Sequence, residues 1–106
     1  MTSLWKRAAH YDLAVVKAET RRLGSKAFTL SAREGGRKMS LSLAQMLRVI
    51  HLLEYRMLHK SMTTYADHRI WQDVYHTTFQ DREIYLKVSY RPGGGHPVVS
   101  FKEKIQ

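Results

Sequence analysis

The sequence predicts an α+β fold in which N-terminal helices pack on one face of an antiparallel sheet. Apolar residues recur at helical spacing before residue 59 and at a spacing of two after it. The strongest helical run opens on a Ser-Leu-Ala-Gln capping box, and Arg91-Pro-Gly-Gly-Gly-His96 separates two alternating segments as a hairpin connection does. Helices followed by strands, without βαβ alternation, segregate the helices to one side of the sheet.

Taken in order, Tyr11 to Leu23 reads as the first helix. Leu13, Val16 and Leu23 share a face, Asp12 supplies an N-terminal cap and Gly24 a stop. Thr29 to Arg33 reads as a short helix ended by the turn-forming pair Gly35-Gly36. At Ser42 the side chains of Ser42 and Gln45 satisfy each other's orphan backbone donors and start a third helix. Its stripe of Leu43, Met46, Leu47, Ile50, Leu53, Met57 and Leu58 predicts that it runs to about residue 58. Met62 to Tyr65 and Arg69 to Tyr75, rich in β-branched and aromatic residues, read as strands, with Trp71 and Tyr75 as core. Ile84, Leu86, Val88 and Tyr90 alternate with polar residues, as do Val99 and Phe101, giving a terminal hairpin with one buried face.

A chain of 106 residues suits a single domain over 1–106, and its 43% hydrophobic content supplies a core. The absence of cysteine removes disulfides and thiolate metal sites and fits a reducing, cytoplasmic compartment. No stretch approaches the roughly 18 apolar residues of a membrane span, so no membrane association is expected. The net charge of +9 favours a polyanionic partner, nucleic acid first. Residues 1–53 hold ten Lys and Arg against three acids, which makes Arg21, Arg22 and Lys26 candidate residues for gripping a phosphate backbone.

The nine acids form no paired-carboxylate motif, and the six histidines lack the four-residue spacing of a helical zinc site. No metal or other cofactor is expected. No Gly-x-Ser-x-Gly, Walker or dinucleotide-binding motif occurs, and Gly93-Gly-Gly95 precedes a strand and does not open a helix. What remains is acid–base and electrostatic chemistry by Lys, Tyr, Gln and His on a basic sheet. RNA suits it, because the 2′-hydroxyl of the substrate attacks the neighbouring phosphate and no protein nucleophile is required. If Ile84, Leu86, Val88, Val99 and Phe101 face the helices, Tyr85 and Lys102 share the open face. The strand pattern leaves the facing of Lys60 and Gln72 undecided. On residue type alone, Lys60, Gln72 and Lys102 are ordinary solvated strand residues, and Tyr85 is a sheet-surface aromatic.

The run Lys60-Ser-Met-Thr-Thr-Tyr-Ala-Asp-His-Arg-Ile-Trp-Gln-Asp-Val-Tyr75, with Ile84-Tyr-Leu-Lys87 and Val99-Ser-Phe-Lys-Glu-Lys104, resembles the MqsR family of toxins, ribosome-independent mRNA interferases of the broader RelE-like group. The match is dense over residues 60–75 and loose before them. The resemblance implies a RelE-like sheet fold, with Lys60, Gln72, Tyr85 and Lys102 in RNA cleavage and Met62 contacting a base. It also implies cleavage at GC-containing triplets such as GCU and a cognate MqsA-like antitoxin. That antitoxin would carry a zinc-binding domain and a helix-turn-helix domain, so that operator DNA is reached only through it. His59 and His76 depart from the family pattern, as do the helix from Ser42 and the Pro-Gly-Gly-Gly insert. The alternative is a basic RNA-binding or regulatory module of the same fold without cleavage. A third reading is a protein whose only partner is another protein.

Overall fold

The computed structural model describes residues 4–93 and 95–104, so that Gly94 of the hairpin connection lies outside the described residues. The chain forms β1 (Trp5–Lys6), α1 (Leu13–Leu23), α2 (Leu30–Lys38), α3 (Leu43–His51), β2 (Leu58–Thr63), β3 (Trp71–Phe79), β4 (Arg82–Tyr90) and β5 (Pro97–Glu103), with 3-10 turns at Gly24–Ala27 and Tyr55–Met57. The five strands form one antiparallel sheet in chain order. The fold is therefore α+β, as expected, with the short strand β1 added ahead of the helices.

Each helix starts where a side chain can replace the missing turn. The Asp12 carboxylate accepts the amides of Ala14 and Val15, the Thr29 hydroxyl accepts that of Ala32, and the Ser42–Gln45 capping box is complete. The helices bury Leu13 and Val16 of α1, Ala32 of α2 and Met46, Val49 and Ile50 of α3 in one core with Tyr75, Ile84, Leu86, Val88, Val99 and Phe101 of the sheet. Emptying a site such as Phe101, which is 1% exposed, costs about 3–5 kcal/mol. Among the described residues no helix is long and apolar enough to cross a membrane.

Several boundaries differ from the sequence reading. Helix α2 does not stop at Gly35-Gly36 but runs through both. A Cβ on Gly35 would lie 2.5 Å from the Phe101 carbonyl oxygen, and one on Gly36 would overlap the Met46 thioether. The glycines let α2 press against β5 and α3. The helix ends instead at Lys38, two residues before Ser40, whose left-handed conformation at φ 59° lets the amides of Ser40 and Leu41 bond back to the Arg37 and Gly36 carbonyls as a Schellman motif.

Helix α3 ends at His51 and does not reach residue 58. Its last turn closes through the Leu53 amide on the Ile50 carbonyl, and Glu54 is extended. Leu53, Met57 and Leu58 reach the same core from a turn and a strand, so their apolar character mimics further helical period. Strand β2 accordingly begins at Leu58 and ends at Thr63. Strand β3 starts at Trp71 and runs on to Phe79, where Gln80 and Asp81, at φ 51° and 63°, make a two-residue hairpin turn without glycine.

The N-terminal segment is tied to the sheet by Asp73, which is 1% exposed. Its carboxylate accepts the His10 amide at 3.0 and 3.1 Å and the Tyr11 amide at 2.9 Å, while the Tyr11 hydroxyl donates to the Trp71 carbonyl at 2.8 Å. Tyr75 is buried in the core as expected. Trp71 is half-buried, stacked on His10 with ring centres 5.0 Å apart, and capped by the Lys6 ammonium 4.4 Å from its centre.

Candidate active site

Strand pairing decides which side chains share the uncovered face of the sheet. Tyr85 is directly opposite Lys102, Lys87 opposite Ser100 and Gln72 opposite Ser89. Their neighbours Leu86, Phe101, Val88 and Val99 are in the core, so these polar residues point the other way.

Lys60 reaches the same face through a bulge. Leu58 pairs with Tyr75 and Lys60 with Val74, leaving His59 as the extra residue. Regular pairing would have set Lys60 opposite the buried Asp73, on the helical side. The bulge re-aims it onto the open face, the use that such irregularities serve beside functional sites. Alternation alone therefore left its facing undecided.

The result is a cleft of about 320 Å³ lined by His59, Lys60, Met62, Val74, Tyr85, Lys87, Ser100 and Lys102. None of these residues is acidic. Val74, 4% exposed, forms an apolar floor beneath three lysines and a phenol. The structure thus brings Lys60, Met62, Tyr85 and Lys102 together. Gln72 does not line the cleft but lies on the same face, directly opposite Met62. Arg21 and Arg22 lie on α1 and Lys26 in the adjoining 3-10 turn, in the helical layer on the other side of the sheet. Arg21 bonds to Nδ1 of His51 at 2.7 Å and joins Lys17 and Arg48 around a separate cleft of about 290 Å³.

Two residues of the open face went unassigned from sequence. His76 pairs with Tyr85 across β3 and β4, and their rings meet edge to face with centres 3.9 Å apart. His59 stacks on His76 at 4.4 Å. The His76 Nε2 atom is enclosed and has no hydrogen-bond partner among the described residues. Desolvation first, then the charges of His59, Lys104 and Lys60, hold the His76 pKa below its ordinary value and keep the imidazole neutral near pH 7. The available signal was strand parity, once β3 is continued past Tyr75. Among the described residues no three His, Asp or Glu side chains converge as a metal site.

A surface of this kind can hold a phosphodiester among cations, exchange protons through a hydroxyl and ammonium groups, and receive a base beside a thioether. Two comparisons bear on it. Residues 8–103 match the sequence model of the family described as "Motility quorum-sensing regulator, toxin of MqsA". The chain is also 40% identical over 101 residues to the mRNA interferase toxin MqsR of Escherichia coli (strain K12), covering 93% of this chain and 98% of that protein. The chain belongs to the MqsR toxin family.

Proposed function

We infer that the protein is the toxin of a type II toxin–antitoxin pair, an endoribonuclease that cuts mRNA at GC-containing triplets such as GCU, independently of the ribosome and of any metal ion. The observation that carries this reading is the convergence of Lys60, Tyr85 and Lys102 on one cleft free of acids. A cleft of cations attracts the phosphodiester, and no carboxylate lines it to hold a divalent cation in place.

In the reaction the 2′-oxygen attacks the adjacent phosphorus and the bond to the 5′-oxygen breaks. The 2′-proton must leave and the 5′-oxygen must gain one. Lys60 and Tyr85 share these transfers and stabilise the growing phosphate charge, while Lys102, across the strand pair from Tyr85, holds the scissile phosphate. Neutral His76 packs edge-on against the Tyr85 ring and fixes its position. Gln72 and Met62, opposite each other on β3 and β2, orient the ribose and a base. Arg21, Arg22 and Lys26 act through the long-range field, because they lie in the other layer. The products are a 2′,3′-cyclic phosphate and a 5′-hydroxyl.

The family description reads "toxin of MqsA". For this chain the corresponding partner is a co-encoded antitoxin with a zinc-binding domain that contacts the toxin and a helix-turn-helix domain that contacts operator DNA. Both proteins act in the cytoplasm. The test is incubation of the purified protein with a defined transcript containing GCU sites, with and without excess EDTA, followed by mapping of the ends. Cleavage at those triplets in EDTA, lost in the Lys60→Ala/Tyr85→Phe variant, supports the reading. Cleavage that needs added Mg²⁺, or none at all, overturns it.

A further inference from the structure

The catalytic cleft does not end at Lys60. A second, wider cleft of about 570 Å³ adjoins it, lined by Trp5, Arg7, Leu58, His59 and Lys60. His59 and Lys60 line both. The second cleft opens at the edge of the sheet where β1 pairs with β2 only at Trp5–Met62 and Lys6–Ser61, leaving Leu58 to Lys60, which pair with β3 on one side, without a strand on the other. Trp5 is 61% exposed and lies directly opposite Met62, the residue assigned to a base in the first cleft. Met62 and Lys60 are two residues apart, about 7 Å along a strand.

An indole this exposed contributes little to the core, and it stands beside a phosphate-binding lysine. Its surroundings are one imidazole and two cations, with no acid lining the cleft. Flat aromatic faces flanked by cations are how proteins hold single-stranded nucleic acid, because every base has a face to stack while the backbone needs positive charge. The geometry points to a second nucleotide subsite here: the base flanking the cleaved step stacks on Trp5 beside His59, and its phosphate meets Arg7. This rests on the RNA-cleaving reading above. Continuity through Lys60 favours RNA over a protein partner, since a strand seated in the first cleft enters the second without leaving the surface.

The experiment uses RNAs made uncleavable by a 2′-deoxy group at the cut position, one confined to the target triplet and others extended by one nucleotide on either side. Wild type is expected to bind one extended RNA about ten-fold more tightly than the triplet, the scale of one stacked base. Trp5→Ala is expected to erase that advantage, Trp5→Phe to keep most of it, and Arg7→Ala to lower the salt slope on the extended RNA by about 0.7. Leu30→Ala, at a 74% exposed residue on α2, is the control and should keep the advantage. If wild type cleaves RNA and Trp5→Ala retains the full advantage, the subsite is refuted while the functional reading stands. If Trp5→Ala retains it but loses affinity for the co-encoded antitoxin, the cleft is a protein-docking surface and the proposal fails. If wild type neither binds nor cleaves RNA, both readings fail together.

Discussion

Replacing Gly35 by Ala sets two magnitudes against each other. In a helix interior alanine is better than glycine by about 1 kcal/mol, so on helix propensity alone the substitution stabilises. The added Cβ would stand 2.5 Å from the Phe101 carbonyl oxygen, whereas a carbon–oxygen contact settles near 3.3–3.6 Å. About 1 Å must therefore be found by displacing α2 or β5. The obstacle is strand backbone, so overpacking falls in the upper part of its usual range of roughly 1–3 kcal/mol. The net expectation is a loss of about 1–2 kcal/mol, or a melting temperature lower by roughly 5–10 °C for a domain of this size. Gly36→Ala is the comparison. Its Cβ meets the flexible Met46 side chain, which swings aside, and the net effect should be at most about 1 kcal/mol. The same Cβ on Gly35 lies 3.4 Å from the Lys102 Cα, so β5 shifts where it presents Lys102 to the cleft. Turnover should fall by up to about 100-fold in Gly35→Ala, as a misplacement of about 1 Å can cost, and far less in Gly36→Ala. Urea unfolding and single-turnover cleavage measure both. A Gly35→Ala protein that melts at or above wild type with full activity would refute the close α2–β5 contact and its link to Lys102.

Lys102→Ala and Tyr85→Phe should reduce turnover strongly while leaving the melting temperature nearly unchanged, because both residues lie on the uncovered face; a variant that unfolds would contradict that placement. RNA affinity should fall with salt at a slope of about −0.7 per phosphate contact, and a flat titration would remove the electrostatic grip. Acid should destabilise the fold. His10, His51 and His76 have folded pKa values below the unfolded 6.5, so the unfolded chain binds more protons as pH falls below that value. The stability contributed by their neutral forms is complete above pH 6.5 and is lost as pH drops towards the folded values. Melting curves from pH 7.5 to 5 should show this decline, and His76→Gln should make it shallower; an unchanged slope would show that His76 stays solvated.

Much of the fold was legible because the strongest signals are local. The Asp12 cap and the Ser42–Gln45 box appear where the residue types require them, since capping is settled by neighbours in sequence. The hairpin of β4 and β5 was legible for the same reason, and with it the shared face of Tyr85 and Lys102. What failed depended on distant partners. Nothing local to Gly35-Gly36 distinguishes a turn from a close helix contact; the difference lies in Phe101 and Met46, far along the chain. Leu53, Met57 and Leu58 continue a helical period because burial demands apolar residues in a turn and a strand as well. The two-residue turn at Gln80-Asp81 lacks the glycine that usually marks it, so the length of β3, and with it the facing of His76, could not be read.

The most consequential unreadable feature is the bulge at His59. One residue out of step transfers Lys60 from opposite a buried aspartate to opposite Val74, changing a lysine that would need an ion pair inside the core into one that lines the open cleft. The family resemblance singled out Lys60 without giving the reason it can serve. Pairing supplies that reason, because helices and core residues fix one face of the sheet while the bulge reassigns a single side chain to the other. Stability and chemistry are thereby divided between the two faces, and β5 joins them: Phe101 packs in the core and the next residue, Lys102, points into the cleft. A substitution beneath β5 therefore reaches the cleft through one peptide unit, whereas changes at the exposed outer surface of α1 have no comparable route.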